Sequence, residues 1–101
     1  MASSRLEALK SMVAANPDNP FVRYSLAMEH RNAGDLETAA REFRTLIEFH
    51  PDYTAAYLHA GQTLERLSRI EEARAVYRAG IEVAARAGDH HARAELEAAL
   101  G

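Results

Sequence analysis

Apolar residues recur every three or four positions along almost the whole chain, with polar residues between them. Leu6, Leu9, Met12 and Val13 form the first such stripe and predict a helix over about 4–15. Ser4 and Glu7 have capping-box spacing at its start. Asn16-Pro17-Asp18-Asn19-Pro20 ends that helix and begins a second, over about 20–33. Gly34 suits a left-handed helix end and Asp35 a helix start. A third helix follows over about 36–49, with Leu36, Ala39, Ala40, Phe43, Leu46 and Ile47 on one side. His50-Pro51-Asp52 closes it. A fourth is predicted over about 54–67, and Ser68 with Glu71 reads as a capping box opening a fifth over about 69–86. Ala73, Val76, Tyr77, Gly80, Ile81 and Ala84 make its inner face. Gly88-Asp89 leads into a sixth over about 90–100, which carries Leu96 and Leu100. Nothing alternates with period two, so no strand is expected.

The stripes repeat on a longer scale. Residues 20–53 and 54–87 superpose with a 34-residue offset, pairing Glu37 with Glu71, Ala39 with Ala73, Phe43 with Tyr77, Arg44 with Arg78, Ile47 with Ile81 and Glu48 with Glu82. A two-helix unit repeated at this period predicts a stacked solenoid whose usual work is to hold another protein. Short connections make neighbouring helices antiparallel. The first helix, ending in Asn-Pro-Asp, reads as the second half of a preceding unit, and the sixth as the first half of a following one. About three units are needed to bury a sufficient core, so these flanking helices matter.

Composition narrows the function classes. The chain has 101 residues, enough for one domain, and 48 % of them are hydrophobic, many being alanine. Alanine favours helix and lets helices approach closely. The net charge is −3, so no basic field draws nucleic acid, and arginines alternate with glutamates, as in Glu71-Glu72-Ala73-Arg74. There is no cysteine, which removes disulfides, thiol catalysis and thiolate-bound metal. No apolar run approaches the roughly 20 residues of a membrane span, and the N-terminus has no apolar signal stretch. The expectation is a soluble cytoplasmic domain.

In combination these residues resemble the tetratricopeptide repeat (TPR) family. In the second unit Tyr57, Ala60-Gly61 and Leu64 match its first helix, and Ala73, Tyr77, Gly80 and Ile81 its second. In the first unit Leu26-Ala27, the Gly34-Asp35 turn, Ala39, Phe43 and Pro51 match. Arg23, His30, Ser68 and Ala85 depart from the pattern: Arg23 and His30 at aromatic sites, Ser68 at the turn glycine and Ala85 at the terminal proline. The resemblance implies an all-α, right-handed superhelical α-α solenoid of about six antiparallel helices in a single domain over 1–101. Its parts would be an N-terminal half-repeat helix at 4–15, repeats at 20–53 and 54–87, and a C-terminal capping helix at 89–100.

It also implies that the first helix of each pair lines a concave groove. Phe21, Tyr24, Met28, Arg31 and Asn32 would face it from the first unit, and Ala55, Leu58, Gln62, Glu65 and Arg66 from the second, with Asp89, Ala92 and Leu96 joining from the sixth helix. Phe21, Tyr24, Met28 and Arg31 share one helical face, giving an apolar floor with polar edges suited to a peptide or protein segment. The competing expectation is that Phe21 and Tyr24 only cover the neighbouring helix. Relatives that clamp a C-terminal carboxylate carry Lys and Asn where Tyr24 and Met28 stand, so that mode is not expected.

Other chemistry lacks a seat. His90 and His91 are adjacent, not four apart as in a helical zinc pair; His30 falls at a core site, His50 lies beside a loop proline, and His59 stands alone. No metal or cofactor is expected. Ser25 and Thr63 have no nucleophile-elbow context, and no glycine-rich phosphate loop exists, so no enzyme is expected. The expected partner is a protein or peptide, neither nucleic acid nor membrane. The alternative reading is self-association into a homo-oligomer through the terminal helices.

Overall fold

The computed structural model describes residues 4–101. Among these, six helices follow one another: α1 (Ser4–Ala15), α2 (Pro20–Asn32), α3 (Leu36–Phe49), α4 (Thr54–Arg66), α5 (Ile70–Ala87) and α6 (His90–Leu100). Each packs against the next in the chain, and α4 also meets α6. This is the all-α stacked solenoid that the repeat predicts. Its radius of gyration is 13.4 Å.

Local chemistry explains the boundaries. The Asn19 side chain accepts from Phe21 N–H at 3.0 Å and Val22 N–H at 3.3 Å, with Pro20 in the first turn where its missing donor costs nothing. Asp35 accepts from Thr38 N–H at 3.2 Å, and Asp89 from Ala92 N–H at 3.0 Å. The capping role assigned to Ser4 is not seen, because Ser4 is already helical and the residues before it lie outside the described range.

Ser68 corrects the second capping expectation. The residue flanking α5 is Arg69, with no side-chain cap, while Ser68 adopts φ +61°. Asp35 N–H bonds to His30 O at 3.0 Å and Gly34 N–H to Arg31 O at 3.0 Å; Arg69 N–H to Leu64 O and Ser68 N–H to Glu65 O repeat that pair, each at 2.9 Å. A third copy closes α5 at Gly88, φ +70°. All three are left-handed helix ends of the Schellman type, and Ser68 fills the glycine position of one. A side chain at positive φ is strained. Ser68→Gly is therefore expected to raise the unfolding free energy by about 0.5–1 kcal/mol, read as a higher urea midpoint at unchanged slope. A fall would show that the hydroxyl does more than tolerate the turn.

The core consists of two clusters. One gathers Ala27, Ala39, Phe43 and Ala60; the other gathers Ala40, Tyr57, Leu64, Ala73, Tyr77, Ala84 and Leu96. Ala39 and Ala73 are wholly buried, as their proposed place at helix crossings requires. Tyr77 lies across Gly61, and its hydroxyl donates to the Glu65 carboxylate; burial and that carboxylate both push the phenol's proton affinity up. Tyr57 donates from its hydroxyl to Pro51 O at 2.5 Å, tying α4 to the turn before it.

Arg23 shows how the first unit manages without an aromatic. It stands one repeat period before Tyr57, and Glu42 one period before Val76. Arg23 Nη1 lies 2.7 Å from Glu42 Oε1, both side chains being less than a quarter exposed. An ion pair thus replaces an apolar contact, both members exchanged together. Removing one member strands a poorly solvated charge, whereas replacing both does not. Arg23→Tyr and Glu42→Val are each expected to cost about 1–3 kcal/mol, with the double variant at least as stable as the parent. Additive losses in the double-mutant cycle would refute this.

Candidate functional site

The expected groove runs along α2, α4 and α6: α2 meets α4 through Tyr24, Arg31 and His59, and α4 packs against α6. Tyr24 is the centre of a ring cluster there. Its ring sits 5.6 Å from Tyr53, 5.6 Å from His59 and 6.2 Å from Phe43, centroid to centroid, and His59 stacks on Phe43 at 6.3 Å. Phe43 belongs to the core, so the rings run from the interior towards the groove. Arg31, in the last turn of α2, donates from Nη1 to His59 Nδ1 at 3.1 Å. That bond places the imidazole proton on Nε2 and keeps the ring neutral. Burial lowers the His59 pKa, and the Arg31 charge lowers it further, while Glu95 on α6 opposes the shift. Burial raises the tyrosine pKa values of Tyr24 and Tyr53.

The expected groove residues divide into groups. Tyr24 and Arg31 meet around His59. Met28 is half-buried against the first core cluster, and Leu58 against the second, so both contribute to stacking as well as to the surface. Asn32, Gln62 and Arg66 are exposed, as is Ala55. Glu65 is exposed but engaged by the Tyr77 hydroxyl. Phe21 is 63 % exposed and stands apart from the rings, in a shallow cleft with Leu9, Met12 and Val22 between α1 and α2.

One expectation from the sixth helix is corrected. Leu96 is buried, its Cδ1 close above Gly80, so it serves the core and not the groove. Asp89 caps α6 and accepts from Thr54 Oγ1 at 3.5 Å. Ala92 is half-buried against the second core cluster. His30 is buried, in keeping with its core position.

The sequence offers His59 only as an isolated histidine and does not place Tyr53 or Glu95 at the groove. His59 follows Leu58 directly and stands one period after Ser25. The available signal was its place beside Leu58, an expected groove position. Among the described residues no three His, Asp or Glu side chains gather as a metal site, and no helix is long and apolar enough to cross a membrane.

Comparison with known proteins fits this geometry. The Tetratricopeptide repeat family matches residues 54–86. The TPR repeat-containing protein PA0015 of Pseudomonas aeruginosa is 31 % identical over 91 residues, spanning 90 % of this chain and 87 % of that protein. The chain belongs to the tetratricopeptide repeat family. The crystal structure of a TPR domain protein from Salinibacter ruber is 40 % identical, covers 81 % of this chain and 91 % of that one, and superposes with a TM-score of 0.77. The solution structure of a Salinibacter ruber TPR domain protein, also 40 % identical, covers 84 % and 86 % with a TM-score of 0.80. Protein BPP2914 of Bordetella parapertussis is 27 % identical, covers 99 % and 86 %, and has a TM-score of 0.81. TPR domains are protein-interaction scaffolds, and this chain carries that fold.

Proposed function

We propose that this TPR domain is a non-catalytic adaptor that holds a peptide or protein segment in the groove formed by α2, α4 and α6. Two repeats at 20–53 and 54–87 form its body, with α1 as a half-repeat and α6 as the closing helix. The observation that carries the reading is the ring cluster of Tyr24, Tyr53 and His59, joined to Arg31 and only partly buried. Aromatic rings and arginine are the side chains that most often dominate binding energy at interfaces. Met28 and Leu58 extend the apolar floor, and Asn32, Gln62 and Arg66 supply polar edges.

The test is affinity capture from native lysate with quantitative mass spectrometry, using the parent chain, Tyr24→Ala, Leu58→Ala and a variant away from the groove, Arg78→Ala. A partner captured by the parent and by Arg78→Ala is expected to be lost by roughly tenfold or more in Tyr24→Ala, the cost of a buried aromatic anchor. Circular dichroism should show helix content retained. Equal capture by Tyr24→Ala and the parent would exclude the groove.

A further inference from the structure

A side-chain junction ties the first helix of one repeat to that of the next. Both α2 and α4 pack on α3, and between them Arg31 Nη1 donates to His59 Nδ1 at 3.1 Å while the Tyr24 ring rests 5.6 Å from the imidazole. The imidazole is half-buried and also stacks on the buried Phe43 at 6.3 Å. Elsewhere arginines join helices through glutamate, as Arg23 does with Glu42 and Arg44 with Glu72. Here the acceptor is instead the side-chain type whose charge changes near neutral pH. A guanidinium has donors and no acceptor, so it bonds Nδ1 only while that nitrogen carries no proton. Once Nδ1 is protonated, two donors and two positive charges face each other at hydrogen-bond distance, and the contact turns repulsive.

We infer that the Arg31–His59 hydrogen bond is a pH-sensitive latch between the two repeats. It is closed while the imidazole is neutral and opens when Nδ1 takes up a proton, which releases Arg31 and loosens α2 from α4. The latch belongs to the chain itself and needs nothing bound in the groove.

The groups around His59 fix the direction. From α2, Arg31 opposes a second positive charge, and the Tyr24 hydroxyl, its proton affinity raised by burial, stays un-ionised. From α3 the apolar Phe43 ring meets it. From α6, Glu95 favours the imidazolium. Burial and Arg31 together outweigh Glu95, so His59 holds its proton less tightly than a free histidine. As pH falls, the unfolded chain therefore takes up this proton before the folded chain does. The stability that His59 contributes is full above the ordinary histidine value of about 6.5 and is lost as pH falls from there through the lower folded value.

The experiment follows the full isotope-labelled chain by NMR between about pH 7.5 and about pH 5, reading the imidazole nitrogens and the amides together. His59 is expected as the Nε2–H tautomer at the upper end, and it should titrate at lower pH than histidine in an unstructured reference peptide. The amides of α2 and α4 and the Arg31 guanidinium signals should move at the same midpoint. Arg31→Met removes both donor and charge: His59 should then bind its proton at least about threefold more tightly, and the α2 amides should no longer follow it. Urea unfolding gives an independent reading. Between the two pH limits the urea midpoint should fall less in His59→Gln than in the parent, because the glutamine amide oxygen accepts from Arg31 at either pH. The buried His30 is present in both chains and drops out of that comparison. An Nδ1–H tautomer at the upper pH would leave Arg31 without its acceptor and overturns the latch. So does a His59 midpoint unchanged by Arg31→Met, or α2 and α4 amides that stay still while His59 titrates. Equal falls in urea midpoint for the parent and His59→Gln overturn it as well, as does acid unfolding of both chains alike before His59 takes up its proton.

Discussion

Phe43→Ala should cost the protein about 3–5 kcal/mol, a large part of the 5–15 kcal/mol that holds a typical domain folded. Phe43 has no exposed surface and is the one large side chain in a cluster whose other members are Ala27, Ala39 and Ala60. The alanines cannot extend to refill the space, and Tyr24, Met28, Ile47 and Val76, which pack around it, must leave their present places to do so. The residual cavity therefore stays large, which places the cost towards the upper end of the range. A chain of this length should lose roughly 15 °C or more in melting temperature. The same deletion removes the surface on which Tyr24 and His59 rest, at 6.2 and 6.3 Å. Groove and core should fail together: a Phe43→Ala protein that remains folded at low temperature should still lose the ordered ring contacts of Tyr24. Urea unfolding followed by helix signal measures the first effect. A loss below about 1.5 kcal/mol would mean that this cluster is not the support described.

Phe43 also shows why so much of this fold was legible. Its counterpart one period later, Tyr77, is buried in the same way, and Ala39 and Ala73 are both sealed at crossings. A repeated pattern lets each unit check the other, so helix limits came within a residue or two of those observed. Legibility ended where the units differ. Ser68 satisfies a capping-box pattern locally, yet its backbone obeys the turn that glycine makes one period earlier. Leu96 looks like a groove residue if α6 keeps strict period. Because α5 runs to Ala87 and Gly88 supplies the turn, α6 starts at His90 and Leu96 turns inward. The site was less legible than the fold for a related reason. The expected groove positions came one helix at a time, whereas the ring cluster depends on α2 meeting α4. His59 acquires a role only when Tyr24 and Arg31 arrive from the neighbouring repeat. Phe21 shares a helical face with Tyr24 but lies in the cleft beside α1.

Gly80→Ala reverses the usual rule that alanine stabilises a helix. In an open helix interior the substitution should gain about 1 kcal/mol from backbone propensity. Here a Cβ added at Gly80 would lie 2.6 Å from Tyr57 Cβ, 2.9 Å from Tyr57 Cγ and 3.0 Å from Leu96 Cδ1. The leucine tip can rotate aside, but a tyrosine Cβ moves only with its backbone. Helices α4 and α5 must therefore separate, which loosens Tyr57, Leu64 and Leu96 in the second core cluster. Overpacking of this kind costs about 1–3 kcal/mol and more where the backbone is the obstacle, so the net loss should reach about 2 kcal/mol despite the propensity gain. Gly61→Ala should be at least as harmful, because its obstacle is the Tyr77 ring, which is buried and held at its far end by Glu65. The Leu96→Ala background separates the causes. It removes the 3.0 Å contact and leaves the two with Tyr57, so Gly80→Ala should remain destabilising there. Stabilisation by Gly80→Ala in the parent chain would mean that α4 and α5 do not approach as closely as Tyr57 and Gly80 require.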